Sequence, residues 1–325
     1  MKKILCVFGT RPEAIKMAPV IRELKNHPEK FLVVVCVTGQ HRDMLDQVLS
    51  LFDVKPDYDL NLMQTNQTLA ELTSKVLLGV DSVLRKELPD WVLVQGDTTT
   101  AMAAALAAFY NKVKVGHIEA GLRTWDAHNP FPEETNRKII DSFGDSYFAP
   151  TEVARQNLLK ESVISERIFV TGNTVIDSLR LVAQKSYDWL SGPLAQVPRN
   201  KRIILATTHR RENFGLPLEH ICEGLKRVAV AHDDIQIVVP VHPNPNVRKV
   251  ITSALGGVRN VSLLEPLDYA SLTHLLKEST LVVTDSGGLQ EEAPTFGKPV
   301  LVLRETSERP EGITAGVAKI IGTNS

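Results

Sequence analysis

The residues best suited to chemistry lie in short polar stretches, each following a short apolar run. Thr284-Asp285-Ser286-Gly287-Gly288 follows Leu281-Val282-Val283 and precedes a segment that can be helical. Bare N–H groups at a helix N-terminus attract anions, and glycines let a phosphate approach the backbone closely. Ser286, Gly287 and Gly288 are therefore expected to hold the diphosphate of a nucleotide. Glu292, one helical turn beyond Gly288, is expected to reach back to a ribose hydroxyl. An ordinary tight turn with a solvated carboxylate fits the same residues, since short glycine motifs are weak signals.

Other apolar runs end in the same way. The first half of the chain delivers Arg11, Asp97 and Glu119, with Lys16 one to two turns into the following helix. The second half delivers Thr208-His209-Arg210-Arg211-Glu212, His242, Arg304 and Arg309. Cations and carboxylates together suit a phosphate-bearing substrate with acid–base chemistry beside it. Each residue also has a role that needs no ligand. Arg11 can cap a turn, Asp97 can N-cap the helix that follows it, and Glu119 can pair with Arg123. His209 and Arg210 can pair with Glu212, and His242 can organise the turn at Pro243.

The elements that must carry these residues alternate. Apolar runs at Ile4–Phe8, Phe31–Val37, Trp91–Val94, Lys114–Ile118, Ser146–Ala149 and Arg167–Val170 alternate with helical patterns. Such runs fit strands buried on both faces of a parallel sheet. Asp53–Thr68 is expected to be a long surface connection, and Pro19 to kink or interrupt the helix running to about Lys25. A helix is expected from Val175 to about Trp189, followed by the Pro/Gly-containing segment Ser191–Asn200. The alternation resumes with strands at Arg202–Ala206, Ile235–Val241, Val261–Leu264, Leu281–Thr284 and Val300–Leu303. The expected fold is α/β, with two Rossmann-like parallel-sheet domains, 1–174 and 175–325.

Composition bounds the rest. With 37 basic and 38 acidic side chains among 325 residues, no excess of charge calls for nucleic acid. Cys6, Cys36 and Cys222 lie far apart in apolar segments and form no metal or redox pair. The chain opens on a strand, with no leader and no apolar run long enough to cross a membrane, so a soluble cytoplasmic protein is expected. It lacks G-x-G-x-x-G, G-x-x-x-x-G-K-[ST] and G-x-S-x-G signatures and zinc-type spacings, so neither a nicotinamide cofactor nor a metal is called for.

Six segments, in order, resemble one family. They are Phe8–Ala14, Gln95–Thr100, His117–Thr124, Phe131–Arg137, Thr208–Asn213, and Thr284–Pro294 with Thr306–Glu311. Along its whole length the chain resembles the bacterial non-hydrolysing UDP-N-acetylglucosamine 2-epimerases. The resemblance implies a GT-B-like fold with its domains facing across a cleft, a cytoplasmic homodimer and no cofactor. It implies interconversion of UDP-GlcNAc and UDP-ManNAc, the product feeding a cell-surface polysaccharide. The C2 hydrogen of the sugar is not acidic, so the family expels UDP from C1 as a base takes the C2 proton. UDP then re-adds to 2-acetamidoglucal after the proton returns on the opposite face. By matching motifs, Asp97, Glu119 and Glu133 would do the acid–base work. Arg11, Lys16, His209 and Arg309 would hold substrate or the departing diphosphate, and Asp97 and Glu119 would also contact substrate. Ser286, Gly287 and Gly288 would cradle the phosphates and Glu292 the ribose. Some family members are regulated by UDP-GlcNAc bound beside the active site, and Gln40, His41 and Arg42 lie where such a site would start.

There are departures. Leu267 and Leu272 stand where the family places a Gln and a Phe around uracil, and the lost aromatic is worth on the order of a kcal/mol of stacking. The family runs about fifty residues further, with helices returning to the first domain. If the chain ends at Ser325, that last crossing helix is missing. Three other readings accompany the epimerase: a GT-B glycosyltransferase, a hydrolysing 2-epimerase that releases ManNAc, and an inactive form that only binds a nucleotide sugar.

Overall fold

The computed structural model describes residues 1–39, 42–62, 64, 67–306 and 309–324, with backbone only at 42–44 and 310. Gln40 and His41 lie outside the described residues, as does the side chain of Arg42. The chain forms two compact units, Met1–Ser178 and Leu179–Ser325.

The first unit runs β1 (Lys2–Phe8), α1 (Arg11–Lys25), β2 (Phe31–Val37), α2 (Arg42–Leu51), β3 (Tyr58–Asp59), α3 (Leu69–Glu87), β4 (Trp91–Gln95), α4 (Thr99–Tyr110), β5 (Lys114–Ile118), α5 (Glu133–Asp141), β6 (Ser146–Ala149), α6 (Glu152–Lys160) and β7 (Ile168–Val170). The next helix is α7 (Val175–Ala183), and the division between the units falls within it. The seven strands form one parallel sheet in the order β3-β2-β1-β4-β5-β6-β7. The order reverses between β1 and β4, and open α/β sheets bind ligands at the carboxyl ends of the strands beside such a reversal. The core joins Leu5, Val7, Val92 and Val94 of the strands to α3 and to the alanine-rich α4. Alanines let α4 lie close on the sheet, and Thr99–Ala105 are buried without a break.

The second unit runs β8 (Arg202–Thr207), α8 (Leu216–Ala231), β9 (Ile235–Pro240), α9 (Pro245–Leu255), β10 (Val261–Leu264), α10 (Tyr269–Glu278), β11 (Ser279–Thr284), α11 (Gly287–Thr295), β12 (Val300–Val302), α12 (Pro310–Thr314) and β13 (Ala318–Ile320). Its parallel sheet has the order β10-β9-β8-β11-β12-β13 and reverses between β8 and β11. Thr207 and Thr284, the last residues of those two strands, share a 2.6 Å hydroxyl hydrogen bond.

Four local expectations need correction. Pro19 does not end α1, which is continuous from Arg11 to Lys25. Proline leaves the carbonyl four residues back without its donor, and here the buried Ser178 hydroxyl donates to Ile15 O instead. The helix from Val175 stops at Ala183, well short of Trp189. There Lys277 Nζ takes the Ala183 carbonyl at 3.0 Å, and the Tyr187 ring stacks on His274. The stretch 53–68 contains β3, which extends the sheet edge beside β2. Finally, Thr98 rather than Asp97 caps α4, accepting from Ala101 N at 3.0 Å. All three cysteines are buried and free, and burial pushes Cys6 and Cys36 up to about 12, so they are inert core thiols.

Candidate active site

In the first unit, β5 ends at Ile118, and Glu119 turns the chain with a left-handed φ of 66°. Two amides secure this turn, since Glu119 N and Ala120 N both donate to Phe148 O. The buried Glu119 carboxylate accepts from Lys16 Nζ on both oxygens, at 2.7 and 2.6 Å. Gln95 Nε2 donates to Oε2 and Asn173 Nδ2 to Oε1. Helix α1, strand β4 and the turn after β5 thus bring Lys16, Gln95 and Glu119 together. The pairing of Glu119 with Arg123 does not occur. Arg123 instead joins Glu161 and Asp141.

Asp97 follows β4, one residue past Gly96. Arg137, on α5, grips Asp97 Oδ2 through Nε at 2.9 Å and Nη2 at 2.5 Å. Asn136 Nδ2 also donates to the Asp97 carbonyl at 2.9 Å. Glu133 opens α5, and its Oε2 is buried with no hydrogen-bond partner among the described residues. Buried polar atoms are almost always paired, so this oxygen is available to a ligand group. The neighbouring Glu134 has a different task. It accepts from Thr124 N and Trp125 N, at 3.0 and 3.1 Å, and anchors the loop before α5. Burial alone would raise its carboxyl, but those amides, with Arg137 and Arg123, bring it below the usual range.

Glu13 is another buried carboxyl at this end of the sheet. It accepts from Gly9 N, Thr10 N and Thr98 Oγ1, at 3.1, 2.7 and 2.6 Å. Burial outweighs these bonds and raises it above the usual carboxylate range. Arg11 is half-buried at the start of α1, two residues before Glu13. Gly9 is required by close packing, because a Cβ there would lie 2.2 Å from Thr38 Oγ1.

In the second unit, β11 ends at Thr284 and the fully buried Asp285 follows. Its carboxylate accepts from His209 N at 2.9 Å, Arg210 N at 3.0 Å and Asn213 Nδ2 at 3.0 Å, and His209 Nδ1 lies 3.1 Å away. Burial opposes ionisation, but the His209 side chain and the backbone amides prevail and hold Asp285 below its usual range. Asp285 therefore ties the loop after β8 to the turn after β11. Ser286 caps α11, and the first-turn N–H groups of Gly287 and Gly288 have no acceptor within the helix. A Cβ at Gly288 would meet Glu292 Oε1 at 3.5 Å and Ser286 Oγ at 3.8 Å, so the Glu292 carboxylate does return over the turn. Arg309 precedes α12 and pairs with Glu291. His209 stacks on His242, with ring centroids 5.9 Å apart. His242 Nδ1 accepts from Asn244 N at 3.2 Å, as its turn-organising role requires. Glu212 pairs with Arg304 rather than with His209 or Arg210. Leu267, before α10, is buried, and Leu272, on α10, is half-buried. Of three holding residues at this site, Asp285 was read from sequence only as a polar strand end, and Asn213 and Arg137 only as members of matched segments. Their role is to hold other groups, and their partners are 72, 72 and 40 positions away.

Two parallel-sheet α/β units with polar side chains ending their central strands make a fold of the GT-B-like class. The glycotransferase of kitacinnamycin shares this fold, with a TM-score of 0.62 at 13% identity over 99% of this chain and 86% of its own. A family model described as UDP-N-acetylglucosamine 2-epimerase matches residues 22–325, and the chain belongs to that family. The UDP-N-acetylglucosamine 2-epimerase of Salmonella typhimurium is 55% identical over 99% of this chain and 87% of the relative. A crystal structure of the Neisseria meningitidis UDP-GlcNAc 2-epimerase, bound to UDP-GlcNAc, matches with a TM-score of 0.87 and 49% identity, covering 99% of this chain and 88% of that one. Membership makes the chain an isomerase of the epimerase class. No helix among the described residues is long and apolar enough to cross a membrane.

Proposed function

We propose that this enzyme reversibly epimerises UDP-GlcNAc and UDP-ManNAc at C2 by anti elimination of UDP and re-addition to 2-acetamidoglucal. The observation that carries the mechanism is three carboxylates, two just after β4 and β5 and one opening α5, each held differently. Glu119 is clasped by Lys16, Asp97 is gripped on one oxygen by Arg137, and Glu133 keeps a buried oxygen unpaired. A proton must leave one face of C2 and return on the other, so carboxylates with different partners suit the two faces. Arg11, Lys16, His209 and Arg309 bind substrate and offset charge on the leaving diphosphate. Ser286, Gly287 and Gly288 receive the phosphates, Glu292 the ribose, and Leu267 and Leu272 flank uracil. The enzyme acts as a cytoplasmic homodimer, and its product supplies a surface polysaccharide. No cofactor takes part in the elimination as drawn.

The test is proton NMR of UDP-GlcNAc with enzyme in D2O. UDP-ManNAc should appear, and deuterium should enter C2 of both epimers. Free ManNAc would move the reaction to the hydrolysing type. Epimer formation without deuterium would refute proton exchange at C2.

A further inference from the structure

His117 lies on β5, completely buried, and is not one of the groups placed at the substrate. Its Nδ1 is 2.6 Å from Asp141 Oδ1 and its Nε2 is 2.7 Å from the Gly96 carbonyl oxygen. A carbonyl oxygen only accepts, so Nε2 carries a hydrogen. Asp141 Oδ2 accepts from Arg123 Nη2 at 2.7 Å and Gly121 N at 3.3 Å, the pattern of an ionised carboxylate. Nδ1 must then donate as well, and the ring is an imidazolium. Charges alternate along His117, Asp141, Arg123 and Glu161, with Arg123 Nη2 2.5 Å from Glu161 Oε2. Tyr147 adds only a neutral contact, donating from its hydroxyl to the Asp141 backbone carbonyl at 2.9 Å. Burial alone would lower the His117 ring, but Asp141 and the Gly96 carbonyl prevail and raise it above the ordinary histidine value.

The far end of this chain of charges is the useful one. Gly96 has a φ of 69°, and its N–H donates to Ile118 O at 2.9 Å. Both polar groups of Gly96 are thus fastened to β5, one by the backbone and one by His117. Gln95, just before it, donates to Glu119, and Asp97 comes just after. We propose that His117 is a positioning residue for the epimerisation: a buried imidazolium that grips the Gly96 carbonyl and so sets Asp97 against Glu119. This rests on the acid–base roles proposed above.

Two measurements on the full chain test it. In ¹⁵N-histidine-labelled enzyme at pH 8.5, where an ordinary histidine of pKa about 6.5 is neutral, the signal lost in His117→Gln should show two ring N–H groups. A single N–H would overturn the charge assignment. In steady-state assays, folded His117→Gln should lose roughly 100-fold in kcat, the scale of a misplacement of about 1 Å. Its KM for UDP-GlcNAc and its Kd for UDP should stay within about threefold. A kcat within threefold of wild type, or a loss matching only the unfolded fraction, would overturn the positioning role. If His117→Gln fails to fold, Asp141→Asn keeps the ring and removes its anion. Burial then disfavours the charged ring, so kcat should lie well below wild type throughout pH 6–8.5, and a kcat equal to wild type would refute the proposal. A wild-type enzyme that washes no deuterium into C2 would instead sink the proposed reaction and the positioning role with it. A variant that keeps its rate beside an active wild type would sink the positioning role alone.

Discussion

Replacing Asp285 removes the acceptor on which the His209 loop hangs. Three donors converge on Oδ2, from His209 N, Arg210 N and Asn213 Nδ2, at 2.9, 3.0 and 3.0 Å. Asp285→Ala strands all three, and each unsatisfied buried donor costs about 1–3 kcal/mol. His209 is partly exposed, so water recovers a share. The expected destabilisation of Asp285→Ala is about 3–5 kcal/mol. Asp285→Asn can turn its oxygen toward the three donors and its amide toward His209 Nδ1, losing only the charge assistance, about 1–2 kcal/mol. The pH dependence separates the two causes. The folded-state pKa of Asp285 lies below the usual range. Its ionic contribution is therefore complete above the unfolded value near 3.9 and disappears as pH falls through the folded value. The gap between wild type and Asp285→Asn should be widest at pH 7 and should narrow below about pH 4. Urea unfolding at a series of pH values measures both variants, and calorimetry with UDP reports the loop. Asp285→Ala should weaken UDP at least tenfold, and Asp285→Asn by much less. If Asp285→Ala keeps its stability within about 1 kcal/mol and its UDP affinity unchanged, Asp285 is not the anchor of this loop.

Two further expectations concern the first unit. Ser178→Ala should cost about 1–2 kcal/mol by stranding the Ile15 carbonyl, and Pro19→Ala should recover most of that loss by restoring the helical N–H, as a double-mutant unfolding cycle would read. Additive effects would show that the hydroxyl is not standing in for the proline amide. Glu13→Gln should remove a decline in stability with pH. Because folding raises the pKa of Glu13, wild-type stability should fall by up to about 1.4 kcal/mol per pH unit from the ordinary carboxylate pKa up to the raised one. Parallel pH profiles for wild type and Glu13→Gln would count against a raised Glu13.

The strands were legible because strands buried on both faces need long apolar runs, and Phe31–Val37 and Ile235–Pro240 supply them. Their ends pointed to the polar residues, since a strand must stop where its side chains meet solvent or ligand. Short edge strands escaped notice. Both β3 and β13 have three residues or fewer and earn their place by pairing with a neighbour, not by composition. The extent of α7 was misjudged because Lys277 and His274, some ninety positions on, decide where the chain leaves the helix. At the site, side chains at strand ends were visible, but their holders were not. Asp285 looked like the stop of a strand and proved to be the acceptor of three donors. A helix cap was the competing role for Asp97, but Thr98 takes it and leaves the Asp97 carboxylate to Arg137. Nothing in local spacing links His117 to Asp141, 24 residues away.

Glu119 sits at a φ that glycine or asparagine adopts with less strain, a cost on the order of 1 kcal/mol or more for an ordinary side chain. The carboxylate offsets that strain, since Lys16, Gln95 and Asn173 all donate to it. Glycine at this position would relax the backbone but strand those donors, each at about 1–3 kcal/mol where buried, so the relief would be outweighed. The strained turn and the ion pair at 119 therefore stand or fall together: the end of β5 cannot relax without releasing Lys16.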